Sequence, residues 1–162
     1  MSDLGLTMRW EAPMTTDLLS LQKTINAASK RIEEAYHRAA HAAGLSDSAF
    51  DILYALHVAG EGCSQRQLCE LCFTRKQTVN SAIKRLQQNG TVRVETGPGR
   101  ATHIFLTERG RELVTNRVTP IIDAEMAALD ALSPQQRTTL STGLPRYADA
   151  LVNALDGTGG RR

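Results

Sequence analysis

The sequence predicts a mainly α-helical protein with one small β-hairpin. Apolar residues recur at helical spacing over most of the 162-residue chain, and aromatic residues make up only 4% of it, so helix packing is favoured over a sheet sandwich. Two short runs of alternating character, 91–96 and 100–106, flank a Gly-Pro-Gly turn signal at 97–99. A helix directly precedes this hairpin, and that order is typical of a winged helix-turn-helix.

The first predicted element is a long helix over residues 16–43, which follows an N-terminal arm (1–15) without periodicity and stops at Gly44. A helix of about 28 residues spans roughly 42 Å, which is longer than the core of a chain of this size needs. We therefore expect part of its apolar stripe to contact a second copy of the chain, and we assign 16–44 to dimerisation. The stripe comprises Leu18, Leu21, Ile25, Ala28, Ile32, Tyr36, Ala39 and Ala43.

A central lobe, residues 45–107, is predicted to begin with two short helices. Ser46 is the expected N-cap of the first, which runs to about Val58. Ser64 is the expected N-cap of the second, which runs from 65 to 72. We expect the first helix to bury a set of residues that comprises Phe50, Leu53, Tyr54 and His57 or its neighbours.

The third helix of this lobe, residues 74–88, has two contrasting faces. The pair Thr74 and Gln77 is expected to cap it, and Asn89-Gly90 closes it. Its apolar face carries Val79, Ala82, Ile83 and Leu86, whereas its outer face carries amides, hydroxyls and cations but no acid. Such side chains hydrogen-bond base edges and phosphates. We predict base-edge contacts from Gln77, Thr78, Asn80, Ser81 and Lys84, and phosphate contacts from Ser64, Arg75, Lys76 and Arg85.

The distribution of charge points to double-stranded DNA as a partner. The net charge is only +2, but residues 74–111 hold eight cations and two acids, which is +6 locally and leaves −4 for the rest. Arg100 stands beside the hairpin tip, where a wing can reach a minor groove. A solvated basic face without a partner is the alternative.

Residues 108–156 are predicted to form C-terminal dimerisation helices. The first runs from Glu108 to about Leu132, and Pro120 should kink it or remove one hydrogen bond. A second helix starts at Ser133-Pro134. We expect Gly143 and Pro145 to interrupt it before it resumes over 146–155, and residues 157–162 to form a polar tail.

Cys63, Cys69 and Cys72 permit more than one interpretation. An odd number of clustered cysteines argues against a disulfide framework and for a reducing compartment. A Cys-x-x-Cys pair on one helix face suggests thiol sensing or metal binding. We favour packing, because free cysteine often behaves as a small buried hydrophobe.

We predict neither a cofactor, a metal site nor an enzymatic activity. His37 and His41 have the i, i+4 spacing of metal ligands, but no acid or cysteine with clear ligand spacing joins them, which favours surface histidines or dimer contacts. The sequence has no Gly-rich phosphate loop and no nucleophile elbow. The 97–99 turn is not a phosphate cradle, because no helix start follows it.

We expect a cytoplasmic protein without a membrane partner. No apolar run approaches the roughly 20 residues of a membrane span. The N-terminus lacks the basic segment and apolar core of a secretory signal.

Taken in this order, the motifs resemble the MarR family of bacterial transcriptional regulators over about residues 16–155. The resemblance is carried by residues 64–79, 82–86 and Asn89-Gly90, and by 104–110 with its Leu-Thr-x-x-Gly. It implies a homodimer held by the first and last helices, a recognition helix in the major groove and Arg100 in the minor groove. Pro98 stands where the family commonly has an aspartate that helps to hold this arginine.

The resemblance also implies a small aromatic effector bound between the dimer helices and the DNA-binding lobe. Four residues could line such a pocket, and ordinary core packing is the alternative for them: Trp10, Tyr36, Tyr54 and His57.

Our hypothesis is a dimeric, sequence-specific regulator, and we expect a repressor that binds a pseudo-palindromic operator and is released by a ligand. Two alternatives stay open. One is a thiol-based redox-sensing regulator, and the other is a winged-helix protein-interaction module without DNA binding.

Overall fold

The computed structural model describes residues 16–60, 62–72, 75–97 and 102–159, which divide between two compact units, 1–47 and 48–162. Trp10, Thr74, Pro98 and Arg100 lie outside the described residues, so the predictions that concern their side chains stay predictions.

The first unit is dominated by the long predicted helix, α1 (Thr16–Ala42). Gly44 ends it in a left-handed conformation (φ 73°), which a glycine adopts without steric cost. The N–H of Gly44 donates to the carbonyl of His41, and the N–H of Leu45 donates to that of Ala40, both at 2.9 Å. Much of the apolar stripe on α1 is exposed, Leu18 and Ile32 by 59% and 58%.

The second unit combines short helices with a small sheet and two longer helical segments. Its elements are α2 (Asp47–Ala59, which begins in the first unit), β1 (Cys63–Ser64), α3 (Gln65–Leu71), α4 (Lys76–Gln88), β2 (Val92–Thr96), β3 (Thr102–Leu106), α5 (Glu108–Leu113), a π-helical turn (Val114–Val118), α6 (Thr119–Asp130) and α7 (Pro134–Gly159). This order confirms the predicted fold class.

The sheet has the order β1-β3-β2, and both pairs of strands are antiparallel. The predicted hairpin is β2–β3, in which Val92 faces Leu106 and Val94 faces Ile104. Strand β1, where Cys63 faces Ile104, was not predicted. Strand β1 is only two residues long, which is too short to show an alternation of apolar and polar residues. Its pairing with β3 alone makes it a strand.

The core of the second unit lies between α2, α3, α4 and the sheet. Its fully buried large side chains include Ile52, Leu53, Leu56, Leu68, Val79, Val92, Ile104 and Val118. His57 is exposed, and its neighbour Leu56 is the residue that the helix buries at this point. The buried face of α2 is centred on Ile52, Leu53 and Leu56, and the next turn toward Val58 leaves that face.

The helices after the hairpin differ from the prediction at their prolines. A π-helical turn precedes Pro120, in which the N–H of Thr119 donates to the carbonyl of Val114, five residues earlier, and Pro120 itself lies in the first turn of α6. The predicted interruption at Gly143 and Pro145 is wrong, because α7 continues through both to Gly159 and includes part of the supposed tail. Pro145 has no N–H, so the carbonyl of Ser141 lacks its helical hydrogen bond. This part of α7 is exposed, so a water molecule can donate to that carbonyl instead.

No helix in the described ranges combines the length and the apolar character required to span a bilayer.

Candidate nucleic-acid interface

The start of α3 is fixed by a reciprocal cap. The backbone N–H of Gln67 donates to the hydroxyl of Ser64 (3.2 Å), and the backbone N–H of Ser64 donates to the side-chain oxygen of Gln67 (2.9 Å). The Ser64 hydroxyl also donates to that oxygen at 2.9 Å. Ser64 is therefore the predicted N-cap, but its hydroxyl proton is already used, which disfavours the phosphate contact expected of it.

The helix that follows, α4, separates its two faces as its sequence pattern predicted. Val79, Ala82, Ile83 and Leu86 are buried. The exposed residues are Arg75, Lys76, Gln77, Thr78, Ser81, Lys84 and Arg85. Within the part of the chain that the structure describes, Lys76, Lys84 and Arg85 have no carboxylate partner, so their charges face solvent unneutralised.

The N-terminus of α4 differs slightly from the predicted one. Arg75 is the N-cap, and its side chain makes no capping hydrogen bond. The expected cap, Thr74, is not among the described residues. The carbonyl of Arg75 accepts from the N–H groups of Thr78 and Val79, which sets the first turn.

Asn80 differs from the other base-edge candidates. It is half-buried, and its side-chain oxygen accepts a hydrogen bond from the side-chain amide of Gln65 on α3. A bidentate contact with adenine uses the oxygen and the amide of asparagine together. Asn80 therefore helps to align α4 against α3. Its partner, Gln65, was not predicted. No pattern in the sequence links the two, because they are 15 residues apart and meet only in the folded helix-turn-helix.

Ser81 also uses part of its hydrogen-bonding capacity within the helix. Its hydroxyl donates to the carbonyl of Gln77 at 2.9 Å. The lone pairs of the hydroxyl oxygen stay available, so Ser81 can still accept from an exocyclic amino group of a base.

The wing carries a further cation, Arg93, which contacts side chains on both strands of the hairpin. The guanidinium of Arg93 on β2 lies 4.5 Å from the ring centre of Phe105 on β3, and its Nε is 2.9 Å from a carboxylate oxygen of Glu95. These contacts hold Arg93 against the outer face of the hairpin. It is half-exposed and was not predicted as a site residue, because an alternating strand gives no sign of which cation will stack.

The root of the wing is tied to the next helix through Thr107. Its hydroxyl accepts from the N–H of Gly110 (3.0 Å) and lies within hydrogen-bonding distance of the carbonyls of Gly90 (2.6 Å) and Thr91 (3.1 Å). The N–H of Thr107 also donates to the carbonyl of Thr91. A Cβ atom at Gly110 would overlap the carbonyl oxygen of Thr91. The Leu-Thr-x-x-Gly motif therefore fixes the start of α5 against the segment that follows α4.

The proposed effector-lining residues have different surroundings. Tyr36 on α1 and Tyr54 on α2 are half-buried, and His57 is exposed. The hydroxyl of Tyr54 donates to a carboxylate oxygen of Glu125 on α6 at 2.8 Å. Burial, followed by this hydrogen bond and the nearby negative charge, raises the pKa of Tyr54 to about 12. Tyr54 is thus a neutral donor with an acidic partner that the sequence did not indicate.

The cysteines are arranged for packing at two of the three positions. Cys63 and Cys72 are buried, Cys69 is half-buried, and all three are free thiols. Burial raises the pKa of Cys63, and burial together with the negative charge of Asp51 raises the pKa of Cys72 to about 11. Cys72 is the C-cap of α3, and its N–H still donates to the carbonyl of Leu68, one helical turn earlier. A negative charge on Cys69 also contributes to the raised pKa of Cys72.

The histidine pair on α1 does have an acidic neighbour. The structure places Nδ1 of His37 at 3.0 Å from each carboxylate oxygen of Asp47, and Nε2 of His41 at 3.9 Å from one of them. The expectation that no acid joins this pair is wrong, because the turn after Gly44 folds Asp47 back toward the end of α1.

Residues 43–101 match the family model described as MarR family. The matched segment comprises 59 of the 162 residues. This segment runs from the end of α1 to the wing, which includes the whole helix-turn-helix, so the resemblance found in the sequence is confirmed. Over this segment the protein is similar to MarR-type transcriptional regulators.

Individual relatives extend this similarity over most of the chain. The HTH-type transcriptional regulator PecS of Dickeya dadantii (strain 3937) is 28% identical over 94% of this chain and 95% of its own. Among solved structures, Sco3205, a MarR family regulator from Streptomyces coelicolor in complex with DNA, has a TM-score of 0.71 at 23% identity, over 85% of this chain and 93% of that one.

A third relative is BpsR of Bordetella bronchiseptica, whose DNA binding is regulated by 6-hydroxynicotinic acid. It has a TM-score of 0.60 at 21% identity, over 77% of this chain and 98% of its own. At this level of identity, the two structural likenesses establish the winged-helix MarR fold.

Proposed function

We propose that this protein is a dimeric repressor of the MarR type, which binds a pseudo-palindromic operator and inserts α4 into the major groove. The observation that carries this proposal is the exposed outer face of α4, which has amides, hydroxyls and unpaired cations but no acid. A partly buried apolar face and an acid-free outer face are what a helix needs to lie between a protein core and a polyanion.

Within this proposal, the residues divide by chemistry. Gln77, Thr78, Ser81 and Lys84 contact base edges, with Lys84 suited to guanine and Gln77 to adenine. Arg75, Lys76 and Arg85 contact phosphates, and Asn80 positions the helix. Arg100 enters the minor groove, as the resemblance implies. Arg93 is a further phosphate contact at the wing.

The dimer is proposed from a continuous exposed apolar stripe on α7. Its members recur at helical spacing and are Leu140, Leu144, Tyr147, Leu151 and Leu155. A stripe of this length on a soluble helix is unfavourable unless another apolar surface covers it. A second copy satisfies this need and places two reading helices on half-sites about one helical turn apart, roughly 34 Å.

The proposed mode of control is steric repression relieved by a small aromatic effector. A dimer bound to the operator blocks the polymerase. The effector changes the spacing between the α4 helices of the two protomers. BpsR, which shares the fold, supports an aromatic acid as the chemical class. In this chain the Tyr54–Glu125 pair offers a polar contact for such a ligand. A DNA-binding regulator works in the compartment that holds the DNA, so we propose a cytoplasmic location.

The test is selection of random duplex DNA on the purified protein, followed by affinity measurements across salt concentration. We expect the selected DNA sequence to be palindromic. The logarithm of the binding constant should fall linearly with the logarithm of the salt concentration, with a slope of about −0.9 for each phosphate contacted. Lys84→Ala should weaken binding by about 1–3 kcal/mol and relax the preference for one base pair. Lys23→Ala, which removes an exposed lysine from α1, is the matched control and should leave affinity unchanged.

Two results would overturn the proposal. If a folded protein enriches no sequence, the winged-helix interaction module becomes the better explanation. If Lys84→Ala and Lys23→Ala behave alike on a selected operator, DNA is bound through a surface other than α4.

A further inference from the structure

We propose that His37, His41 and Asp47 form a binding site for a divalent transition-metal ion such as Zn²⁺. The three side chains lie at the junction of α1 and α2, and all of them belong to the first compact unit. No residue of the proposed DNA-contacting surface takes part in the cluster.

One separation of the donor atoms matches that around a bound ion, and the others are larger by an amount that side-chain rotation can remove. With metal–ligand distances of about 2.1 Å, neighbouring donors lie roughly 3.0 Å apart in an octahedron and roughly 3.4 Å apart in a tetrahedron. Nδ1 of His37 is 3.0 Å from the Asp47 carboxylate, and Nε2 of His41 is 3.9 Å from it. The three donors all lie within 4.8 Å of one another, so small side-chain rotations bring them onto one ion.

The backbone creates this arrangement in two steps. Residues i and i+4 share a helix face, which brings the rings of His37 and His41 to a centre-to-centre distance of 4.3 Å. The left-handed turn at Gly44 then reverses the chain and brings Asp47, the first residue of α2, to the same face. Helix geometry supplies two ligands, and the turn supplies the third.

The type of donor selects the class of ion. Two imidazole nitrogens and one carboxylate suit zinc and its neighbours among the transition metals, whereas magnesium and calcium prefer sites made of oxygen alone. The side chains are exposed by 55% (His37), 59% (His41) and 59% (Asp47), so an ion can enter and water can complete its coordination. The carbonyl end of α1 also favours a cation.

Occupancy would connect the last turns of α1 to the first residue of α2. The turn from Ala43 to Ser46 would then be closed by a metal bridge in addition to its backbone hydrogen bonds. In the structure, the same carboxylate lies 3.0 Å from Nδ1 of His37 and 3.9 Å from Nε2 of His41.

The test is titration of the full-length protein, freed of any polyhistidine tag, with Zn²⁺ by calorimetry and with Co²⁺ by visible absorption. We expect one ion per chain, with ligand-field bands and no thiolate charge-transfer band. His37→Gln, His41→Gln and Asp47→Asn should each weaken Zn²⁺ binding by at least about tenfold, because loss of even an outer-shell partner can cost that much. Each replaces an exposed side chain, so the fold should be retained.

His57→Gln is the matched control, since it removes an exposed histidine from α2 outside the cluster. Cys69→Ser controls for binding through sulfur. Unchanged Zn²⁺ affinity in both, together with loss in the three cluster variants, supports the site. The proposal is overturned if the wild-type protein binds neither ion, if the cluster variants bind like the wild type, or if Cys69→Ser removes the binding. The titration requires no DNA, so its outcome is independent of operator recognition.

Discussion

At the scale of single residues, burial and one neighbouring charge decide the chemistry of side chains whose type alone predicts little. Tyr54 and Cys72 are both half or more buried beside a carboxylate, of Glu125 and of Asp51 respectively, and both keep their protons more strongly than the free amino acids. For Tyr54 the result is a stable hydrogen-bond donor, and for Cys72 it is an unreactive thiol.

Tyr54→Phe tests the first of these effects. At neutral pH the loss of the hydrogen bond to Glu125 should lower the free energy of unfolding by about 1 kcal/mol. The folded-state pKa of about 12 exceeds the ordinary value of 10.0, so the folded protein holds this proton more tightly. The stability linked to it is therefore present below pH 10 and lost as the pH rises toward 12.

Urea unfolding at a fixed protein concentration over a pH series measures this. The difference in free energy of unfolding between the wild type and Tyr54→Phe should narrow above pH 10, which is the pKa of tyrosine in the unfolded state. Tyr147→Phe, which removes an exposed hydroxyl from α7, should leave the wild-type pH dependence intact. A difference in free energy of unfolding that stays constant across the pH series would contradict the link between the Tyr54 proton and stability.

The thiols are predicted to react in two classes. With a pKa of about 11, only about one molecule in a thousand carries the Cys72 thiolate at pH 8. Labelling with a disulfide reagent should modify Cys69 first in the native protein, and Cys63 and Cys72 only after unfolding. Cys69→Ser should abolish the early phase. Equal, rapid labelling of all three native thiols would instead favour the redox-sensing regulator.

At the scale of elements, the root of the wing is held by the Thr107 hydroxyl together with backbone groups. Thr91, Thr107 and Gly110 form one hydrogen-bonded junction, and Gly110 is needed there because its missing Cβ leaves room for the carbonyl of Thr91. The same residue type at 143 has a different role, since nothing lies within 4 Å of a Cβ at Gly143.

These two helical glycines predict opposite effects of one substitution. Gly110→Ala should lower the free energy of unfolding by about 1–3 kcal/mol, because the junction must shift to admit the methyl group. Gly143→Ala should be neutral or stabilise by up to about 1 kcal/mol, because alanine favours the helix. Urea denaturation measures both. Equal effects of the two substitutions would mean that the junction is not closely packed.

At the scale of the whole molecule, two helices leave apolar residues exposed that a single chain does not cover. On α7 the stripe from Leu140 to Leu155 follows one face, and Asn153 lies on the opposite face. Burying such a stripe against a second copy would stabilise a dimer in proportion to the apolar area removed from water.

Leu151→Glu should therefore raise the dimer dissociation constant by at least about tenfold, since burying one unpaired charge costs well over 1.4 kcal/mol. Asn153→Glu adds the same charge to the opposite face and should leave the dimer intact. Sedimentation equilibrium over a range of concentrations measures both constants. A dimer unaffected by Leu151→Glu would place the interface elsewhere.

The sequence by itself determined the order and type of most elements and the outer face of α4, because helical and strand periodicity arise from local geometry and from which side must be buried. It also located the capping serine, Ser64, for the same local reason. It misjudged Pro145, because a proline ends a helix only where the lost hydrogen bond cannot be replaced, and that depends on exposure.

Only the tertiary structure decided which distant groups meet. The pairing of β1 with β3, the bond from Gln65 to Asn80 and the bond from Tyr54 to Glu125 join residues 15 to 71 positions apart. The convergence of Asp47 with the histidines of α1 depends on the direction in which the chain leaves Gly44. No periodicity encodes such contacts, since they follow from how elements pack rather than from how each one forms.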